Sequence, residues 1–375
     1  MRVLFVSANK GGGGSEELWV QTAGVLVRRG HQVHAATTWS ARASGRRRQL
    51  LDSGVPHHGL MEPTWRRLAR RLRIASHFEG DAWALRRLIE KKRPEVVVMN
   101  SGTSLDGIGL LEALKSACVP YGVVTHLVSS DNWPDDNTAL RLHALFSAAV
   151  NACFVSEHNR RLFETQTGRE LANAVIVRNP YLVSWEQPLP WPGSDPGKPF
   201  RLALPARLYP KTKGHDILIE VLSMDVWRQR PVGVTFFGEG PCRGALEAFV
   251  RRLGLERVSF AGQVSDIEAV WRSHHALILP SRHEGLPICL VEAMMAGRPV
   301  IVNPAGGSGE LVTDGVDGFV ADSCDARGLA HAMERAWERR HDWADMGLAA
   351  ARSIRQNVPI DPAAVFAERI LKWVR

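Results

Sequence analysis

The chain has 375 residues, a length that favours about two domains. Hydrophobic residues make up 45% and charged residues 23%, which excludes a largely disordered chain, and no run of about 18 apolar residues predicts a membrane-spanning helix. The five cysteines are widely separated and form no CxxC pair, so neither a disulfide framework nor a zinc site is expected. The net charge is +8, and it is concentrated between Arg42 and Arg93, where fourteen basic and five acidic residues give +9.

This basic stretch predicts one surface that meets an anionic partner, either anionic lipid or a charged acceptor molecule. Because the rest of the chain is nearly neutral, binding of nucleic acid along the molecule is not expected. An Arg-rich, solvated helix face is the alternative interpretation. The apolar run before Asn9 is a strand rather than a signal peptide, which predicts a cytoplasmic location, with peripheral contact at the inner membrane face as a further hypothesis.

Short apolar strands alternate with helical patterns in two series, which predicts parallel sheets covered on both faces. The first series has strands at 3–7, 32–37, 95–100, 121–125 and 151–155 and helices at 16–29, 64–92 and 105–117. The second has strands at 201–205, 233–237, 258–261, 276–280 and 299–303 and helices at 216–224, 243–254, 266–273 and 287–296, followed by helices at 326–340, 343–355 and 362–374. Five prolines from Trp185 to Pro199 predict the linker between two domains.

Four glycines, from Gly11 to Gly14, follow the first strand and precede the first helix. Backbone amides there can approach an anion closely at a helix N-terminus, whereas a flexible turn is the alternative. The dinucleotide-binding fingerprint does not fit, because Glu16 stands where its third glycine would be, and no P-loop motif is present. Ser15 and Glu16 are interpreted as a helix N-cap and a first-turn acid.

The strongest candidate segment is PSRHEGLPICLVEAMMAGRPVI, in which seven residues separate Glu284 from Glu292. Glu284 follows a strand, and Pro287 suits the first turn of the next helix. Two carboxylates at such a junction can accept hydrogen bonds from sugar hydroxyls, and the helix N-terminus can hold phosphate. A single glutamate is more often a solvated or capping residue, so the prediction depends on the arrangement of both, with Glu310 in the glycine turn that follows.

Here the sequence resembles the retaining glycosyltransferases of family 4 (glycosyl transferases group 1), which include bacterial glucosyl- and mannosyltransferases. LPARLYPKTKGHDILIE is similar to that family's "GRL…KG" element, FFGEGP to its "GDGP" turn, and GGGGSEELW with RRGHQVHAAT to its "GGAE" loop and "RGHEV" strand. The resemblance covers nearly the whole chain. It implies an α/β fold of two doubly wound, Rossmann-like domains facing a cleft (GT-B), over residues 1–190 and 198–358. A C-terminal helix, 359–375, then packs back on the N-terminal domain.

The resemblance also implies roles for particular residues. Arg207 and Lys213 match the cations that neutralise the donor diphosphate, whose charge grows as it departs. Lys211 lies in the same loop and competes for this role. Glu284 matches the carboxylate that contacts the donor sugar, and Glu292 the one that binds ribose.

Further positions follow from the same resemblance. His126, after the strand at 121–125, matches a histidine near the reacting sugar, whereas Asp131 and Asp135 receive no role. Backbone near the donor is expected at Gly13, Gly14, Val264, Gly285, Leu286 and Pro287.

The resemblance therefore implies a retaining, metal-independent hexosyltransferase that needs no cofactor. Its donor is a nucleotide sugar, with a UDP-sugar favoured, and its acceptor is a hydroxyl group of a lipid-linked, polysaccharide or small molecule. A non-catalytic protein that binds sugar nucleotides or glycans and an epimerase on the same fold are the alternatives. The donor sugar and the acceptor stay open.

Overall fold

The computed structural model describes residues 1–9, 14–38, 44–60, 80–193 and 199–374. The chain divides into two compact units. Unit 1 comprises Met1–Pro180 and Asp361–Arg375, and unit 2 comprises Tyr181–Ile360. Gly13 and part of the basic stretch between Arg42 and Arg93, namely residues 42–43 and 61–79, lie outside the described residues.

Unit 1 is a parallel sheet with helices on its faces. Its strands are β1 (Arg2–Ser7), β2 (Gln32–Thr37), β3 (His57–Gly59), β4 (Val96–Thr103), β5 (Tyr121–Leu127), β6 (Ala152–Phe154) and β7 (Ala174–Ile176). Its helices before residue 181 are α1 (Glu17–Arg28), α2 (Ser44–Asp52), α3 (Gly80–Lys92), α4 (Ile108–Ser116), α5 (Asp136–Ser147) and α6 (Glu157–Thr167). The strand order is β3-β2-β1-β4-β5-β6-β7, so the direction of the connections reverses between β1 and β4.

The central strands of unit 1 are apolar on both faces because helices cover both. Leu4, Val6 and Val97 pack into one core cluster with α4 and α5, whereas Val3 and Phe5 pack into another with α1. Near-continuous apolar runs are typical of a strand buried in a parallel sheet.

Unit 2 repeats this architecture. Its strands are β8 (Phe200–Pro205), β9 (Val232–Phe237), β10 (Val258–Gly262), β11 (Ala276–Leu279), β12 (Val300–Val302) and β13 (Gly318–Val320). Its helices are α7 (Pro210–Lys213), α8 (His215–Leu222), α9 (Asp225–Gln229), α10 (Arg243–Arg252), α11 (Ile267–Ser273), α12 (Ile288–Met295), α13 (Ser308–Leu311), α14 (Ala326–Glu338) and α15 (Trp343–Asn357). The parallel strands are ordered β10-β9-β8-β11-β12-β13, with the reversal between β8 and β11.

The last helix, α16 (Pro362–Leu371), belongs to unit 1. Its apolar face, which includes Phe366 and Ile370, is buried in the same core cluster as β1 and α1. After the helix, the indole Nε1 of Trp373 donates a hydrogen bond to Asn151 Oδ1 at 2.7 Å. The chain therefore returns to the first unit after Ile360, as the resemblance implied.

The proline-rich segment that begins at Trp185 is not a free linker where the structure describes it. The chain passes from unit 1 to unit 2 at Tyr181, before this segment. The carbonyl oxygens of Leu189 and Pro190 accept hydrogen bonds from the Arg298 guanidinium, at 3.3 and 2.6 Å. Proline removes backbone donors but leaves every carbonyl acceptor, so a buried arginine attaches the segment to unit 2, and the observed boundary precedes the predicted residue 190.

None of the helices in the described ranges is long and apolar enough to cross a membrane.

Candidate functional site

The candidate donor site lies in unit 2, in the loops that follow β8 and β11. The first loop carries Arg207 and Lys213, and the second carries Glu284. These two strands are neighbours, and the direction of the sheet connections reverses between them. Ligands of doubly wound sheets bind at the carboxyl ends of the strands at such a reversal.

Lys213 and Glu284 form an ion pair in this site. The Lys213 Nζ atom lies 2.6 Å from Glu284 Oε1, which also accepts a hydrogen bond from Ser281 Oγ at 2.7 Å. The Glu284 side chain is 7% exposed and the Lys213 side chain 26%. Burial acts to lower the pKa of Lys213, but the charge and hydrogen bond of Glu284 outweigh it and hold that pKa above its ordinary value. The ammonium group is therefore charged at neutral pH.

Backbone hydrogen bonds join the two loops around this pair. The amides of Arg282 and His283 both donate to the carbonyl oxygen of Thr212, at 2.9 and 3.3 Å. The Arg282 guanidinium holds Asp216 with two bonds of 2.7 Å. Sequence motifs did not identify Arg282 or Asp216, because their role is to connect two loops that are distant along the chain.

Gly214 permits this close approach. Its φ is +65°, and a Cβ atom at this position would lie 1.9 Å from the carbonyl oxygen of Pro280. The contact is between backbone and backbone, so a side chain cannot rotate away to relieve it. Gly214 thereby places Lys213, the residue before it, beside Glu284.

We expect Gly214→Ala to lower the free energy of unfolding by about 3 kcal/mol, since the left-handed conformation costs about 1–2 kcal/mol and the steric clash adds to it. Gly254→Ala is the matched control, because Gly254 has a φ of +63° but open space around the added Cβ. Urea unfolding followed by tryptophan fluorescence measures both variants. Equal losses of stability would show that the contact with Pro280 is unimportant.

Arg207 is the second cation of the site. Its side chain is exposed, and its guanidinium carbon lies 5.7 Å from the centroid of the Tyr209 ring. Within the described part of the chain it forms no hydrogen bond or ion pair through that guanidinium. Lys211, the competing cation, is exposed on α7, so the structure brings Lys213 and not Lys211 onto the buried carboxylate.

Glu292 lies on α12 and is 5% exposed. Its Oε1 accepts a hydrogen bond from the Leu182 amide at 3.0 Å. One oxygen of the predicted ribose-binding carboxylate therefore has a backbone partner within its own unit. Between the two glutamates, burial and the charge of Glu284 raise the pKa of Cys289 to about 12, so that thiol stays protonated at neutral pH.

The remaining predicted donor contacts lie on loops of unit 2 or in unit 1. Pro287 was predicted in the first turn of α12 but is the N-cap of that helix. Because its ψ of 123° is extended, the helix begins one residue later, at Ile288. Gly285 accepts a hydrogen bond from the Gly307 amide at 2.7 Å. The others are Leu286, which is 5% exposed, Val264, in the loop after β10, and Gly14, at the start of a 3-10 turn in unit 1.

His126 lies near the carboxyl end of β5 in unit 1 and is 6% exposed. Its Nε2 atom is 2.8 Å from Asn100 Oδ1. Burial lowers the pKa of His126 to about 4, so the imidazole is neutral at neutral pH.

The predicted cap of α1 is wrong. Glu16, not Ser15, occupies the N-cap position, and it makes no capping hydrogen bond through its side chain. The Glu16 carboxylate instead points into the unit, 1% exposed, where Ser7 and Trp19 donate to it. The carboxylate therefore binds buried side-chain donors rather than the backbone amides of the first helical turn.

No set of three or more His, Cys, Asp and Glu side chains with the spacing of a metal site occurs in the residues that the structure describes.

Two family models match the sequence. Glycosyltransferase Family 4 matches residues 12–181, and Glycosyl transferases group 1 matches residues 199–339. Each of the two units has a Rossmann-like sheet of parallel strands. Together with this fold, the matches place the chain in the class of GT-B fold glycosyltransferases. The chain belongs to the group 1, family 4 glycosyltransferases.

Similar proteins have been described in several organisms. The chain is 39% identical over 107 residues to the Vi polysaccharide biosynthesis protein VipC/TviE of Salmonella typhi, a match that covers 28% of this chain and 18% of that protein. It is 32% identical over 126 residues to the alpha-D-kanosaminyltransferase of Streptomyces kanamyceticus, covering 33% of each. The matched region thus spans a third or less of these relatives' lengths.

Among solved structures, HepE of Anabaena in complex with UDP-glucose has the same fold. The two share 20% sequence identity and a TM-score of 0.78, over 99% of this chain and 98% of that one.

Proposed function

We propose that this protein is a retaining, metal-independent glycosyltransferase that moves a hexose from a nucleoside diphosphate sugar to a hydroxyl acceptor. The observation that carries the proposal is the Lys213–Glu284 pair, 2.6 Å apart, at the sheet reversal where Arg207 is also presented. A glycosyltransferase needs charge for the departing diphosphate and a hydrogen-bond acceptor for the sugar. The two cations and the buried carboxylate supply these groups.

The proposed chemistry follows from these groups. Arg207 and Lys213 stabilise the negative charge that the nucleoside diphosphate gains as its bond to the sugar breaks. Glu284 and His126 orient the sugar, and Glu292 holds the ribose. The acceptor hydroxyl attacks on the face from which the diphosphate leaves, and a phosphate oxygen takes the proton.

A UDP-sugar is the favoured donor in this proposal. HepE of Anabaena shares the fold and was solved with UDP-glucose. The acceptor is proposed to be a lipid-linked, polysaccharide or small-molecule hydroxyl. Metal independence is proposed because two basic side chains fill the role that a divalent cation plays in other phosphate chemistry.

The decisive experiment combines donor binding with product analysis. Thermal unfolding is measured with UDP-, GDP-, ADP- and dTDP-glucose, and a donor present at 100 times its Kd should stabilise the protein by about 2.7 kcal/mol. Product from that donor and a panel of acceptors is then examined by NMR, with and without EDTA. We expect retained anomeric configuration and no effect of EDTA. Binding without any transfer would favour a sugar-nucleotide-binding protein, and an altered donor sugar without an acceptor would favour an epimerase.

We also propose a cytoplasmic protein that contacts the inner membrane face peripherally through the basic stretch between Arg42 and Arg93. In the described part of this stretch, Arg86, Arg87 and Lys91 are exposed on α3. Vesicles containing anionic lipid should sediment with the protein at low salt and release it at high salt, since screening weakens such attraction. Binding that does not weaken as the salt concentration rises, or no binding at all, would contradict this proposal.

A further inference from the structure

A buried chain of hydrogen bonds runs through unit 1 and ends at His126. It begins at Glu16, whose Oε1 accepts from Ser7 Oγ at 3.0 Å and from Asn100 Nδ2 at 3.1 Å. The other carboxylate oxygen, Oε2, accepts from the indole of Trp19 at 3.0 Å. Glu16 and Asn100 are each 1% exposed. The carboxylate is therefore an acceptor for three buried donors.

The chain of hydrogen bonds lies at the reversal of the unit 1 sheet. Ser7 ends β1 and is paired with Asn100 of β4, and the next residue of β4, Ser101, is paired with Thr125 of β5. His126 follows on β5, and its carbonyl oxygen accepts a hydrogen bond from Asn159 Nδ2 at 3.2 Å. The three strands thus carry these hydrogen bonds to the edge where doubly wound sheets bind ligands.

The partners fix the orientation of each group. A carboxylate only accepts, so the NH₂ group of Asn100 faces Glu16 and its Oδ1 faces His126. The Nε2 atom of His126 must then carry the proton that Asn100 Oδ1 accepts. In a neutral imidazole the other nitrogen, Nδ1, is an acceptor. This buried Nδ1 has no hydrogen-bond partner among the residues that the structure describes.

We propose that Glu16 is a positioning residue that acts through Asn100 to fix His126 as its Nε2–H tautomer, so that Nδ1 accepts a hydrogen bond from a hydroxyl group of the transferred sugar. The contact with sugar rests on the proposed function, whereas the tautomer rests on the hydrogen bonds alone.

The substitution Glu16→Gln should reverse these hydrogen bonds. The indole of Trp19 can only donate, so the carbonyl oxygen of the introduced amide takes the position of Oε2 and its NH₂ group faces Asn100. The Asn100 amide then flips to present its oxygen to that NH₂ group and its own NH₂ group to His126. The Nε2 atom of His126 becomes an acceptor, and the proton moves to Nδ1. A sugar hydroxyl would then meet a donor in place of an acceptor.

The test is the ¹⁵N NMR spectrum of the full-length protein labelled at histidine, with the His126 signals assigned by their loss in His126→Asn. In the wild type, Nδ1 should resonate as a pyridine-type nitrogen and Nε2 as a pyrrole-type nitrogen. In Glu16→Gln the two should exchange. A wild-type Nδ1 that carries the proton, or an unchanged spectrum in Glu16→Gln, overturns the proposal. The wild-type spectrum alone decides the tautomer if the variant does not fold.

Trp19→Phe is the matched control, because it removes one donor from Glu16 and leaves the Asn100–His126 bond unchanged. In this variant, His126 should have the same tautomer as in the wild type. In the double variant Glu16→Gln with Trp19→Phe, no indole holds the introduced amide, so its carbonyl oxygen can turn to Asn100 and the wild-type tautomer should return. Failure of this rescue would contradict the relay, since a merely structural defect would grow with the second substitution.

Kinetics provide the second measurement. Glu16→Gln should lower kcat/KM for the donor sugar about 10- to 100-fold, because the protonated Nδ1 of His126 would no longer accept a hydrogen bond from the sugar hydroxyl. The affinity for free UDP should stay unchanged, because the side chains proposed to hold the nucleotide, Arg207, Lys213 and Glu292, lie in unit 2. A lowered UDP affinity would contradict a role confined to the sugar. The NMR test needs no substrate, so absence of transferase activity would refute the proposed function without deciding the tautomer.

Discussion

Replacing Lys213 with alanine is expected to slow glycosyl transfer about a thousandfold, the scale found when one preorganised charge or donor is removed from a developing anion. Lys213 is held at a fixed position by Glu284, at 2.6 Å, and its raised pKa keeps it charged at neutral pH. Its charge therefore needs little reorganisation as the diphosphate departs. Initial rates at saturating donor and acceptor measure the loss, which should fall on kcat.

Lys211→Ala is the matched control for this prediction. Lys211 belongs to the same four-residue helix, α7, but its side chain is exposed, and the ion pair with Glu284 is made by Lys213. Its loss should change kcat by less than about threefold, as expected for an exposed charge. A thousandfold loss in Lys211→Ala with normal turnover in Lys213→Ala would assign the diphosphate to Lys211 instead. Thermal unfolding of both variants checks that each is folded.

The sequence predicts the central strands and several long helices of both units, because each carries a run or period that a short window can detect, but it missed the twelve-residue helix α5, Asp136–Ser147. The strand predicted at 3–7 is observed as Arg2–Ser7, and the helix predicted at 326–340 as Ala326–Glu338. Strands β3, β7 and β13 were not predicted. Each lies at the edge of its sheet, where pairing with the one neighbouring strand determines it, whereas the equally short strands β6 and β12 lie inside their sheets and were predicted.

The candidate site was predictable in part for the same reason. Glu284 and Lys213 stand in loops next to strongly apolar strands, so their place at the carboxyl edge follows from the order of the elements. Their pairing depends on the close approach of Gly214 to the carbonyl oxygen of Pro280, and these two residues are distant in sequence. Glu16 was taken for a first-turn acid because its partner, Asn100, lies 84 residues away. Local patterns contain no information on such a bond.

The attachment of the proline-rich segment to unit 2 is another contact that the sequence did not predict, and Arg298 makes it. Its side chain is 1% exposed, and within the described ranges its guanidinium donates to backbone carbonyl oxygens rather than to a carboxylate. One set of these acceptors lies at the C-terminal ends of α11 and α12, and includes Trp271 at 2.8 Å. The other set lies in the proline-rich segment, and includes Pro190 at 2.6 Å. Burial lowers the pKa of Arg298 to about 10, so the group is still charged at neutral pH.

We expect Arg298→Met to lower the free energy of unfolding by about 3 kcal/mol, because methionine fills the volume of the stem but leaves several buried carbonyls without a donor. For a unit of this size, that corresponds to a fall in Tm of about 6–12 °C. Arg272→Met is the control, since Arg272 pairs with Glu268 on the surface, with its side chain 53% exposed, and should cost less than about 1 kcal/mol. Limited proteolysis should also cut the segment after Trp185 faster in Arg298→Met than in either the control or the wild type. A variant as stable and as protected as the control would mean that the prolines, rather than the arginine, hold this segment against unit 2.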